Sequence, residues 1–223
     1  MTRTGENASS AKNPPTVGVV LAGGRAARMG GGDKPLLEVG GRPILDRVIT
    51  ALTPQCCELI LSANGDPARF APRPLPVVAD TVSDHPGPLA GILAGLEWIA
   101  EHRPGIKWVL TAPADCPFLP DDLVERLHRA RSGETHLAIA LSGGQRHPTI
   151  GLWHVSLKDA LRHALVEEKD RRANGFATRH NAVCVEWPAI PVDPLFNVNT
   201  PELLSEAEHL ATVLVRSTGN PDK

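Results

Sequence analysis

Apolar residues recur along this chain in two alternating ways, as short continuous runs and as longer stretches spaced by three and four. Residues 17–21 (VGVVL) are a run of the first kind and predict a buried strand. Residues 43–52 predict a helix with proline in its first turn, followed by short strands at 59–62 and 75–79. Between 88 and 100 the residues Leu89, Ile92, Leu93, Leu96 and Ile99 fall at helical spacing. A strand at 108–111 and a helix at 121–130 opened by Pro120 come next. Weaker strands are expected at 137–141, 149–153 and 182–185, with helices at 156–166 and 201–210. Strands alternating with helices predict an α/β fold, a mostly parallel sheet covered on both faces. Ligands of such sheets sit at the carboxyl ends of the strands.

At 223 residues, 42% hydrophobic and 22% charged, the chain supports one sizeable core. The regular alternation favours one domain over residues 17–215, with a polar, disordered lead at 1–16 and a polar tail at 216–223. The lead has no apolar segment of the signal-peptide kind, and no run approaches the roughly 20 apolar residues that span a bilayer. A net charge of −2 gives no basic field for nucleic acid. The four cysteines have neither zinc spacing nor the look of a disulfide framework, which fits a reducing cytoplasm. The nine histidines form no ligand pair for a transition metal.

Chemistry enters behind the first strand. Residues 21–34, LAGGRAARMGGGDK, hold five glycines, two arginines and a lysine. Glycine allows close backbone approach and leaves amide donors open, and Arg25, Arg28 and Lys34 add cations, so the loop reads as a phosphate cradle. It is not a Walker loop, because Asp33 separates Gly32 from Lys34 and Pro35 follows. The plain alternative is a glycine-rich surface turn with solvated charges.

The pattern LAGGxxxRMGGxDKxLLxxxG resembles the signature of nucleotidyltransferases with the nucleotide-diphospho-sugar transferase fold, and among them the molybdenum cofactor guanylyltransferases. ADTVSDHPGPLAG (79–91), APADCPFLP (112–120), RHPTIGLW (146–153) and NVNTPELL (197–204) extend the resemblance in order over residues 17–207. It implies a Rossmann-like three-layer α/β/α sandwich. It also implies transfer of GMP from GTP to molybdenum-bound molybdopterin with release of pyrophosphate, and magnesium as cofactor. Transient contacts with molybdopterin-delivering and molybdoenzyme-maturation proteins follow from the same reading. The rivals are a sibling enzyme using CTP or a sugar phosphate, and a noncatalytic GTP-binding module.

Residue by residue, the resemblance makes Asp115, in the turn ADCP, the ligand of magnesium; read without it, Asp115 is a turn aspartate bonding its own backbone. Arg28 and Lys34 are expected on the β- and γ-phosphates, Arg28 able to bind bidentately and Lys34 as a point charge. By the same resemblance Leu21, Ala22, Gly23 and Gly24 are expected beside the nucleotide. Asp80 is expected to accept from guanine N1–H and its 2-amino group, a donor pair that cytosine lacks, or else to cap a turn. Ser62 stands where the family places an asparagine, with Asn64 two residues on, and both are assigned to the nucleotide. Asn197 and Asn199 resemble the family's twin asparagines near metal and acceptor, while Thr200 and Pro201 also open a helix. Arg146, His147, Arg171 and Arg172 supply the acceptor side, with solvated loops and helix ends as the other reading.

Overall fold

A computed structural model of the chain describes residues 13–23, 34–82 and 87–218. Parts of the expected N-terminal lead and C-terminal tail, the loop at 24–33 and residues 83–86 lie outside them.

The first apolar run forms β1 (Thr16–Leu21), whose residues alternate between two cores. A short hairpin, β2 (Glu38–Val39) and β3 (Arg42–Pro43), leads into α1 (Ile44–Leu52). β4 (Glu58–Ser62), β5 (Val77–Val78), α2 (Pro88–His102) and β6 (Trp108–Pro113) follow. The second half holds α3 (Leu123–Arg129), β7 (Leu137–Ser142), β8 (Gln145–His154), α4 (Lys158–Val166), α5 (Ala173–Arg179), β9 (Val183–Trp187) and α6 (Pro201–Thr218).

Seven strands join in the order β5-β4-β1-β6-β8-β7-β9. All neighbours pair in parallel except β8, which runs against both β6 and β7. The α/β class and mostly parallel sheet are therefore as the alternation of elements predicts. Val20, Leu59, Leu61 and Leu110 turn to one face, where Ile44, Leu45 and Val48 of α1 and Leu123 and Leu127 of α3 cover them. Val17, Val19, Ile60 and Val109 turn to the other, under Ile92, Leu96 and Ile99 of α2 and Leu161 and Leu165 of α4. Two apolar layers on one sheet make the α/β/α sandwich.

α2 lies unusually close to the sheet. A Cβ built on Gly95 would stand 2.7 Å from a Val19 methyl, and one on Gly91 would stand 2.6 Å from Ser62 Oγ. The glycines of PGPLAGILAG thus seat this helix over β1 and β4, and Pro88 opens it at a position where no amide hydrogen is needed.

Some boundaries differ from the expectation. β8 begins at Gln145 rather than 149, turning from β7 through Gly143 (φ 52°) and Gly144 (φ 76°), both left-handed as a tight hairpin requires. The register shifts between Ile139 and Ala140, so that His147 pairs with Ala140 and Gly151 with Ile139, and Pro148 sits in the irregular stretch where no ladder donor is missed. α5 was not expected from residues 173–179, and α6 continues to Thr218, past the expected end at 210. No helix among the described residues is long and apolar enough to cross a membrane.

Candidate active site

The carboxyl ends of β1, β4, β5 and β6 lie side by side, and the expected nucleotide residues gather there. Ala22 N–H donates to the Ser62 carbonyl at 2.8 Å and Ala114 N–H to the Leu21 carbonyl at 3.0 Å, continuing the parallel ladder beyond the strands. Leu21 is half-buried, Ala22 buried and Gly23 exposed at this edge. Gly24 and Arg28, with Arg25 and the glycines at 30–32, lie outside the described residues.

Lys34 opens a short 3-10 turn and is only 9% exposed. Its ammonium donates to Asp115 Oδ2 and to Asn199 Oδ1, two short bonds that join the glycine loop's end, the turn after β6 and the segment before α6. Val198 N–H donates to the Asp115 carbonyl at 2.9 Å, fixing that last segment against the turn. Asp115 is therefore not a turn aspartate serving its own backbone: its Oδ2 holds a cation, and its Oδ1 accepts from the Cys116 thiol at 3.6 Å. Burial, with the Asp115 charge beside it, pushes the Cys116 thiol well above its ordinary range and keeps it protonated. Lys34 has three N–H donors, and two of them go to Asp115 and Asn199 among the described residues.

Asp80 follows β5 at the edge of the sheet. Asn64 Nδ2 donates to Asp80 Oδ2 at 2.7 Å, and Asp80 N–H donates to Asn64 Oδ1 at 2.9 Å. Next to it Thr81 Oγ1 donates to Glu97 Oε2 at 2.6 Å, and Arg162 Nε donates to the other oxygen of Glu97 at 2.8 Å, tying this corner to α2 and α4. Ser62, by contrast, is 3% exposed with its hydroxyl facing Gly91 of α2.

The expected acceptor residues divide. Neighbours on a strand point to opposite faces, and accordingly His147 Nε2 meets Ser142 Oγ at 3.0 Å while Arg146 Nη1 donates to Thr178 of α5 at 2.9 Å. Ser142, 2% exposed, donates to Asp193 Oδ2 at 3.0 Å, and Leu195 N–H donates to Asp193 Oδ1 at 2.8 Å. Burial lowers the His147 pKa, opposed by the Asp193 charge. Arg172 grips Asp170 through Nε at 2.9 Å, and Arg179 reaches the same carboxylate at 2.8 Å. The hydrogen bonds from Arg172 pull the Asp170 pKa down to about 2. Arg171 and Asn197 are exposed. Ser142 and Asp193 carry no motif of their own; their relation to His147 arises only when β7, β8 and the segment before α6 meet.

A glycine-rich loop leaving the first strand of a mostly parallel sheet, with a lysine–carboxylate–amide cluster at the strands' carboxyl ends, defines a nucleotidyltransferase of the α/β/α class. Residues 18–183 match the model of the MobA-like NTP transferase domain. The chain is 58% identical over 201 residues to the molybdenum cofactor guanylyltransferase of Nitrobacter hamburgensis, covering 90% of this chain and 96% of that protein. It is 57% identical to the one from Rhodopseudomonas palustris, again over 90% of this chain and 96% of the other. Among solved structures, molybdopterin-guanine dinucleotide biosynthesis protein A of Archaeoglobus fulgidus superposes with a TM-score of 0.71 at 20% identity, covering 89% of this chain and 99% of that one. The 4-diphosphocytidyl-2C-methyl-D-erythritol synthase of Anaerococcus prevotii does so at 0.69 and 14%, covering 89% and 96%. The chain belongs to the molybdenum cofactor guanylyltransferase family. Its activity is the transfer of GMP in the synthesis of the molybdopterin guanine dinucleotide cofactor.

Proposed function

We propose that the chain transfers GMP from GTP to the phosphate of molybdenum-bound molybdopterin at the carboxyl edge of β1 and β6, with Lys34 and Asp115 at the reacting centre and Asp80 reading the guanine. The observation that carries this reading is the convergence of Lys34, Asp115 and Asn199 on one point.

The same cluster bears on the metal. The Lys34 ammonium occupies a place where two hard oxygens, Asp115 Oδ2 and Asn199 Oδ1, meet one cation, and such a donor set suits magnesium. No group of three or more His, Cys, Asp and Glu occurs among the described residues, so phosphate oxygens and water would complete the ion's shell. Bound there, magnesium would offset charge on the triphosphate as pyrophosphate leaves.

The chain's own residues do the rest by position and charge. Asp115 would hold the metal, and Lys34 serves the phosphates together with Arg28 and the loop amides. Asp80 offers acceptors to guanine N1–H and the 2-amino group, one of its oxygens already steadied by Asn64. Asn197, Arg146, Arg171 and Arg172 are the acceptor-side candidates along with His147. Transient docking of molybdopterin-delivering and molybdoenzyme-maturation proteins in the cytoplasm completes the proposal. Pyrophosphate release and dinucleotide formation, followed with GTP, magnesium and the molybdopterin acceptor, test it: Asp115→Ala abolishes both if the reading holds, and near-normal turnover overturns it.

A further inference from the structure

The chain Asp193–Ser142–His147 has only one consistent hydrogen arrangement. A carboxylate accepts and does not donate, so the single hydroxyl hydrogen of Ser142 goes to Asp193 Oδ2. The 3.0 Å contact between Ser142 Oγ and His147 Nε2 then needs its hydrogen from the ring, which makes His147 the Nε2–H tautomer with a bare Nδ1. Asp193 is itself pinned by the N–H of Leu195 on its other oxygen. The assembly stands at the carboxyl edge: Ser142 ends β7, His147 lies near the start of the antiparallel β8, and the Asp193 charge reaches Cys116, next to Asp115.

We propose that His147 holds the phosphate of the acceptor as an imidazolium, Nδ1–H donating to the phosphate dianion, and that Ser142 and Asp193 are positioning residues that fix the ring's tautomer and offset its charge. This rests on the reading of the acceptor as a phosphate monoester. The proton balance is simple. When the acceptor arrives as a monoanion, its O–H bond breaks and Nδ1–H forms, leaving the dianion whose oxygen bonds to the α-phosphorus as the bond from that phosphorus to pyrophosphate breaks. When it arrives as a dianion, the proton comes from solvent. Burial keeps the free ring neutral, and Asp193 is the charged side chain acting on it among the described residues, so binding of the dianion takes up a proton from solvent, while the monoanion brings its own.

Asp193→Asn tests this without changing shape. Leu195 N–H still requires an acceptor, so the new amide's oxygen faces Leu195 and its nitrogen faces Ser142. That nitrogen donates to Ser142, Ser142 must now donate to His147 Nε2, and the ring proton moves to Nδ1, the wrong-tautomer logic known from catalytic triads. Nitrogen-15 NMR of the full chain reads this directly: Nε2–H in the parent and Nδ1–H in the variant are expected, and an Nδ1–H parent or an unchanged variant overturns the chain. In steady-state kinetics with the molybdopterin acceptor, the parent's acceptor KM rises with pH as proton uptake becomes harder. The variant offers an uncharged donor, so its acceptor KM is flat with pH and about tenfold higher near pH 6, while the KM for GTP holds. An Asp193→Asn variant that keeps the parent's pH dependence overturns the proposal. Ser142→Ala, which cuts the link instead of reversing it, serves as the second variant: the untethered ring still titrates, so the acceptor KM is expected to rise several-fold with the parent's pH dependence kept, and an unchanged acceptor KM overturns the positioning role. If the parent makes no dinucleotide at all, the acceptor reading fails, and the NMR result still judges the hydrogen-bond chain separately.

Discussion

Asn64 and Asp80 hold each other by two hydrogen bonds, side-chain amide to carboxylate at 2.7 Å and main-chain N–H to side-chain carbonyl at 2.9 Å. The pair links the end of β4 to the end of β5 and sets the plane of the carboxylate. Asp80 Oδ2 carries the Asn64 bond. On the proposed reading of Asp80 as the guanine-binding residue, base choice depends on the orientation of this carboxylate as well as on its charge.

Asp80→Asn is expected to erode the preference for GTP over CTP. The replaced oxygen becomes a donor opposite guanine's own donor, and such a mismatch costs about 1–3 kcal/mol, or roughly tenfold to a hundredfold in discrimination. Asn64→Ala, which frees the carboxylate but keeps it, is expected to lower the preference less. Competition kinetics with the two nucleotides measure both; a preference within error of the parent's for Asp80→Asn makes the residue a turn cap.

Lys34→Ala is expected to weaken GTP binding and slow transfer, since it removes a buried cation held between Asp115 and Asn199. Arg28→Ala is expected to do the same through the loop. Titration calorimetry with GTP reads the first effect, and unchanged affinity and rate in both variants would return these cations to solvated surface.

At the opposite edge of the sheet, His128 is held neutral. Thr16 Oγ1 donates to the Pro14 carbonyl, so His128 Nε2–H donates to Thr16 at 2.7 Å, and Nδ1 accepts from Arg131 at 2.7 Å. Burial, with Arg131 nearby, pushes its pKa down to about 4 from 6.5. A folded-state pKa below the unfolded one means the unfolded chain takes the proton first as pH falls. The stability held above pH 6.5 is therefore lost progressively toward pH 4, to a total on the order of 3 kcal/mol. Urea midpoints across that range check it; the decline attributable to His128 disappears in His128→Gln if the assignment holds.

Gly95→Ala is expected to destabilise the fold by about 1–3 kcal/mol, because the added methyl meets a branched Val19 side chain that has nowhere to turn inside a packed core. Thermal unfolding measures it. An unchanged midpoint would mean that α2 shifts freely over β1.

Sequence made the strand-and-helix order legible because buried parallel strands read as continuous apolar runs, as 17–21 and 108–111 do. The start of β8 was hidden by Pro148, which argues against a strand, although Gly143–Gly144 is itself a hairpin signal. α5 escaped because Asn174–Gly175 reads as a turn. At the site, Lys34 and Asp115 were legible as types of residue. Their joint partner Asn199 lies 165 positions from Lys34, and no spacing rule brings those two together. The Ser62 hydroxyl is covered by α2, while Asn64 reaches Asp80, a difference that depends on how α2 seats on the sheet. Asp193 stands 51 positions from Ser142 and was invisible until the sheet's last strands were in place.

Guanylyl transfer to a molybdopterin phosphate is proposed to take place at the Lys34–Asp115–Asn199 cluster. Single-turnover reaction of the full chain with GTP, magnesium and molybdenum-bound molybdopterin tests it most directly, with guanine dinucleotide and pyrophosphate measured together and CTP run in parallel. Equal amounts of the two products from GTP, little from CTP and none from Asp115→Ala are expected. Pyrophosphate without dinucleotide, or a CTP reaction as fast as that with GTP, would contradict the account.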